Sequence, residues 1–199
     1  MFSYSRRLLA GTILGVTVSL AVVACSPAPG SPSSAPPTIQ HIHDIVFSSN
    51  GDLLIGSHDG VYAVELDTGD TSLVGDVAFD SMGLAAQGET IFVSGHPGAD
   101  NHDSFVAPHI GLVKHTVEVG WKQLSLAGTT DFHNLGTTPA DPDFIVGLPS
   151  DRPVLLRSND GGRTFADASE LSARDISIDS DDANVLTATT ADGLMVSRD

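Results

Sequence analysis

Five histidines stand where imidazoles could gather around one ligand. His41 and His43 flank a single residue, and His58, His96 and His133 each sit at the edge of an apolar run. A neutral imidazole is a ligand suited to Zn or Cu. A neighbouring carboxylate from Asp44, Asp59 or Asp131 could join the metal or fix a ring through its second nitrogen. Nearly a hundred residues separate the first of these side chains from the last, so only the fold can bring them together.

The elements that must do so are strands. From Ile39 onward, short runs rich in Val, Ile, Leu and Phe are broken by Gly, Asp, Asn and Pro turns, and no window has the 3.6-residue period of an amphipathic helix. Ile42–Phe47, Leu53–Ser57, Gly60–Leu66 and Ser72–Gly75 form a first set of four. Ser81–Ala85, Thr90–Gly95, Ile110–His115 and Lys122–Leu126 form a second, and Phe132–Gly136, Phe144–Gly147, Val154–Ser158 and Thr164–Ala168 a third. Asp175–Ile178, Val185–Thr189 and Gly193–Ser197 begin a fourth. Four antiparallel strands per unit, repeated every ~40–50 residues, predict an all-β fold, a β-propeller of four-stranded blades.

That periodicity supplies a register. The first strands of the four blades start at His43, Met82, His133 and Arg174, and the second strands end at His58, His96, Leu148 and Thr189. Antiparallel neighbours place the start of one strand beside the end of the next, so His43, His58, His96 and His133 are expected around one mouth of the propeller. His41 lies two residues before His43, on the same side of an extended chain. The excursion Pro97–Pro108, with Asp100, His102 and Asp103, followed by His109, is placed to cover that mouth or to stand solvated beside it.

The sharpest local motif is Ser158-Asn-Asp160-Gly-Gly162-Arg-Thr-Phe165, an Asp-box pattern at the turn between the third and fourth strands of a blade. Asp160 is suited to accept backbone N–H bonds inside the turn, the glycines to turn the chain, and Phe165 to bury between blades. Ser197-Arg-Asp199 has the start of the same pattern one blade later. With His41-Ile-His43, Ser94-Gly-His96-Pro97-Gly98 and Asp131-Phe-His133, this box resembles bacterial lipoproteins of the sialidase-like, Asp-box (BNR) propeller group, glycosyl hydrolase-like, over Ile39 to Asp199. The resemblance implies six to seven blades, of which about four are present, so the chain is expected to be incomplete at its C-terminal side. It also raises exo-acting glycoside hydrolysis of the sialidase type, which needs an arginine triad, a tyrosine nucleophile and a general acid. Arg163 and Arg198 belong to the box and its partial copy, and Tyr62 falls on a strand as a packing aromatic. Asp44, Asp59, Asp80 and Asp131 are the acids near strand ends. The catalytic set of a sialidase is not found.

Cys25, the sole cysteine, ends Val22-Val23-Ala24-Cys25 behind Arg6, Arg7 and the uncharged stretch Leu8–Ala24. A basic start, an apolar run and small residues before a cysteine resemble a bacterial lipobox, in which that cysteine is acylated and becomes the new N-terminus. Residues 1–24 are thus read as a signal peptide and 25–38 as the lipidated Cys25 with a Pro/Ser-rich tether unable to bury a core. Residues 39–199 are the propeller domain. The chain carries a net charge of −16, and loss of Arg6 and Arg7 makes the remainder more acidic still. It repels nucleic acid. With no second cysteine the domain is held by its core, without an intramolecular disulfide. The expectation is a membrane-anchored, extracytoplasmic binding or interaction lipoprotein whose partners are the membrane, through its lipid, and an envelope protein or glycan. Sialidase-like hydrolysis is the alternative. Cys25→Ala is expected to block processing and membrane retention, read by fractionation and intact mass; a variant processed like wild type would contradict the lipobox.

Overall fold

The computed structural model describes residues 38–98 and 104–198. The signal peptide, Cys25 and the tether up to Pro37 lie outside the described residues, as do Asp100, His102 and Asp103. Every element described is a strand. Blade one holds β1 (Ile42–Phe47), β2 (Leu53–Ser57), β3 (Gly60–Val64) and β4 (Thr71–Leu73). Blade two holds β5 (Phe79–Gln87), β6 (Thr90–Pro97), β7 (Leu112–Thr116) and β8 (Gly120–Ser125). Blade three holds β9 (Phe132–Thr138), β10 (Asp141–Pro149), β11 (Val154–Ser158) and β12 (Ala166–Glu170). Blade four holds β13 (Ala173–Ile178), β14 (Leu186–Thr190) and β15 (Gly193–Ser197). Each sheet is an antiparallel meander in chain order, the arrangement of a β-propeller.

Strand alternation explains why the blades stack. The residues that each sheet turns toward its neighbour are apolar and meet in three successive layers. Leu54 and Val61 of blade one pack with Phe79, Leu84, Val93 and Val113 of blade two. Phe92 and Leu112 of blade two pack with Phe132, Ile145 and Leu156 of blade three, and Phe144, Val146 and Leu155 then meet Ile176 and Ile178 of blade four. Polar ties between blades two and three fix the spacing: Thr137 Oγ1 donates to Ala86 O at 3.0 Å, and Phe132 N donates to Ser94 Oγ of β6 at 2.9 Å.

Pairing within the blades shows one irregularity four times over. Ile42 pairs with Ser57 and Asp44 with Gly56, leaving His43 as an extra residue. Met82, His133 and Arg174 are left over in the same way between their own paired neighbours. All four blades therefore carry a β-bulge at the same point of the inner strand, where it bends the strand and re-aims a side chain. On this register His96 faces Asp80 and His58 occupies the matching place in blade one. The expected strand ends at Leu148 and Thr189 are corrected: β10 and β14 run one residue further, to Pro149 and Thr190, and the positions that match His96 lie two residues beyond those expected. Leu148 pairs with Asn134 and Pro149 with Phe132, so Ser150 is the residue that matches His96. The apolar run stops at Leu148, but backbone pairing does not, since Ser150 N donates to Asp131 O at 2.9 Å.

The turn from Ser158 to Phe165 joins β11 to β12. Asp160 Oδ1 accepts from Arg163 N at 3.0 Å and Thr164 N at 2.9 Å, and the buried Ser158 Oγ accepts from Gly162 N at 2.9 Å. These donors hold the Asp160 carboxyl down to a pKa of about 2, the Thr164 hydroxyl contributing most. Gly162 has φ of +83°, and a Cβ there would lie 2.3 Å from Leu112 Cδ2, so only glycine fits. Phe165 packs at 5.3 Å from the Phe132 ring, within the layer between blades two and three. Ser158→Ala leaves the buried Gly162 N–H unpaired and should cost about 1–3 kcal/mol. Denaturant melts measure this, and an unchanged midpoint would show that the hydroxyl does not close the turn.

Candidate functional site

The inner-strand starts and second-strand ends meet at one mouth, and the side chains there form a continuous arc. His41 leads into β1 with φ of +54°, a left-handed conformation uncommon for a side-chain-bearing residue. Its ring stacks on that of His43, centroids 4.9 Å apart, and sits 4.5 Å from that of His58. His43 Nε2 lies 3.4 Å from His58 Nδ1. The next blade contributes Asp80, whose Oδ1 is 2.8 Å from His58 Nδ1 and 3.3 Å from His43 Nε2.

The arc continues through the same carboxylate. Asp80 Oδ2 is 3.4 Å from His96 Nδ1, while the other ring nitrogen of His96 is 3.4 Å from Asp131 Oδ2. His133 Nε2 approaches that Asp131 oxygen to 3.0 Å. Backbone sterics hold the middle of the arc: at Gly95, φ is +151° and a Cβ would fall 1.9 Å from Asp80 O. Any side chain there would push Asp80 away from His96. His109 enters from the far side of blade two, its ring 5.4 Å from that of His96, tied there by Ile110 N donating to Gly95 O at 2.9 Å.

Two triplets have ligand atoms close enough for one ion, His41 with His43 and His58, and His96 with His109 and Asp131, the atoms of each lying within 4.8 Å of one another. Burial tilts the chemistry toward ligation. It lowers the pKa of His43 against the opposing pull of Asp80, with His58, His41 and His133 adding to the lowering, so this ring stays neutral and able to donate its lone pair. Asp131 is only 4% exposed, and among the described residues its Oδ1 lacks a hydrogen-bond partner, as does the buried Nδ1 of His109. Unpaired buried polar atoms are costly, and a cation would satisfy both.

The structure thus brings His41, His43, His58, His96 and His133 to one mouth. Asp131 is with them, but Asp44 is not. Its Oδ1 accepts from Ile45 N at 2.8 Å and its Oδ2 from Leu84 N at 3.1 Å, so it braces blade one against blade two. Asp59 has no contact with a histidine among the described residues. Asp80 and His109, which the sequence pattern left outside the ligand set, take its place. Asp80 was legible as the residue matching His41 and Asp131 two positions before each bulge. His109 was not, because only the contact with Gly95 brings it to His96.

Comparison with known proteins identifies the fold. No family model matches the chain, and no curated protein matches it. Among solved structures it is similar to an ancestral GH74 enzyme, with TM-score 0.60 and 13% identity over 82% of this chain and 23% of that one. It is similar also to the GH74 xyloglucanase from Xanthomonas campestris, with TM-score 0.58 and 18% identity over 80% of this chain and 28% of that one. Hydrazine synthase from Kuenenia stuttgartiensis gives TM-score 0.52 at 16% identity over 82% and 45% of the two chains. The chain spans about a quarter of the length of the two GH74 enzymes. At such identities the likeness defines the fold class alone, a β-propeller.

Asp44 provides a test of the packing between blades one and two. Burial, outweighing its two backbone bonds, raises its pKa to about 6, and Asp175 of blade four adds a like charge. A folded-state pKa above the unfolded value means that the native state binds the extra proton. Its contribution to stability is therefore present at low pH and lost as pH rises through about 4 to 6. Asp44→Asn cannot ionise, so its stability relative to wild type should improve by about 2 kcal/mol between pH 4 and pH 7.5. Paired urea melts check this, and a difference independent of pH would contradict the raised pKa.

Proposed function

We propose that this protein is an extracytoplasmic, lipid-anchored binding module of the sialidase-like, Asp-box propeller group, and that its propeller mouth holds a transition-metal ion, Zn or Cu. The observation that carries the reading is the arc itself. Imidazoles from two inner-strand starts and two second-strand ends converge with Asp80 and the buried Asp131, whose Oδ1 is unpaired among the described residues. Hydrogen bonding alone leaves that oxygen and His109 Nδ1 unsatisfied, whereas ligation uses them. The lipobox and tether support an anchored location, and the Ser158–Phe165 turn supports the propeller group. The similarity to GH74 enzymes extends to fold alone, and the residues at this mouth are chiefly imidazoles rather than the arginine, tyrosine and acid set of a sialidase. Recognition of an envelope protein or glycan would use the same loop face.

Calorimetric titration of the full chain with Zn and Cu salts tests the reading. Binding is expected at neutral pH, with affinity falling below about pH 6.5 as free-imidazole protonation competes with ligation. His96→Ala should weaken binding far more than His115→Ala, since His115 lies against Trp121 with its ring tilted, away from the arc. Absence of binding at neutral pH, or equal effects of the two variants, would overturn it.

A further inference from the structure

We infer that the mouth is a two-ion centre, in which Asp80 ligates one ion and orients a ligand of the other. The inference rests on the metal-binding reading above and adds the number of ions and the residue that couples them. One ion cannot collect the whole arc, because His96 presents different nitrogens to its two sides: Nδ1 lies 3.4 Å from Asp80 and Nε2 lies 3.4 Å from Asp131. Ligand atoms about a tetrahedral Zn with bonds near 2.0–2.1 Å are separated by roughly 3.3 Å. The 3.4 Å from His43 Nε2 to His58 Nδ1 and the 3.3 Å from His43 Nε2 to Asp80 Oδ1 match two edges of one such polyhedron, while the third, His58 Nδ1 to Asp80 Oδ1 at 2.8 Å, is a hydrogen-bond separation that ligation would open. The 3.4 Å from His96 Nε2 to Asp131 Oδ2 matches a second.

The first ion takes His41, His43, His58 and Asp80 Oδ1. The second takes His96 Nε2, His109 and Asp131, with His133 alongside. Asp131 is nine-tenths buried and its free Oδ1, like the buried Nδ1 of His109, belongs to this second set, so the need for a cation is independent of the first triplet. Between them, His96 ligates through Nε2 and donates its Nδ1–H to Asp80 Oδ2, the arrangement in which a carboxylate fixes a ligating imidazole. Asp80 is thereby a ligand on one side and a positioning residue on the other. A divalent ion on the first site pulls on the same carboxylate that steadies the second, so the two sites are energetically linked.

Equilibrium dialysis of the full chain against Zn alone, followed by elemental analysis, counts the ions. Two per chain are expected, falling to one in His41→Gln and to one in His109→Gln. Asp80→Asn should weaken both steps, the first by tenfold or more. Wild-type protein loaded with two equivalents of Cu(II) gives a readout needing no variant: spin–spin broadening of its EPR spectrum is expected from two neighbouring ions. A wild-type count of one, retention of two ions in His109→Gln, or two magnetically isolated Cu(II) signals would overturn the two-ion centre while leaving the binding reading intact. A wild-type count of zero would overturn both.

Discussion

The mouth depends on a single backbone irregularity, the extra residue that every inner strand carries at the same place. At His43, Met82, His133 and Arg174 the pairing skips one position. A bulge bends the strand and re-aims a side chain, and just before it the rings of His41 and His43, two residues apart, stack on one side of the chain. The position two residues before each bulge is His41, Asp80, Asp131 and Ser172. That one repeated site thus delivers an imidazole, two carboxylates and a hydroxyl to the same rim. The glycine at 95 secures the arrangement, since backbone contact with Asp80 leaves no room for a side chain.

The energetic character of this rim differs from that of the layers beneath it. Between blades, Phe79, Phe132, Ile145 and Val146 are completely buried and apolar, and they hold the propeller together by loss of water contact. At the rim, Asp131 is almost as deeply buried yet keeps an unpaired oxygen. A core built only for stability would replace such a group, because an unsatisfied buried carboxylate oxygen costs more than an apolar side chain of the same size. Beside His96, His109 and His133, that oxygen is the atom the proposed ligation would use. Asp44 carries a related cost for a different purpose, surrendering its hydration to bond the backbone of the neighbouring blade.

Much of the fold was legible because burial writes itself into apolar runs. The bounds of β1, β2, β11 and β15 coincide with those runs. Longer strands were under-read where polar residues or proline continue the pairing, as at Asp80 in β5 and at Asp141 and Pro149 in β10, because backbone hydrogen bonds carry no hydropathy signature. The convergence of the histidines was legible from the repeat register alone. The apolar pattern marks Asp80 only as an acid near a strand end, although it occupies the same place before its bulge as His41 and Asp131. The approach of His109 was hidden, since it depends on Ile110 bonding to Gly95, a pairing that links residues on either side of a long excursion.

The most direct test of the account is X-ray absorption spectroscopy of the Zn-loaded full chain. The arc predicts a first shell of nitrogen and oxygen near 2.0–2.1 Å with strong outer-shell scattering from several imidazoles. A shell of oxygen alone, with no imidazole scattering, would place the metal on surface carboxylates and contradict the histidine-built mouth.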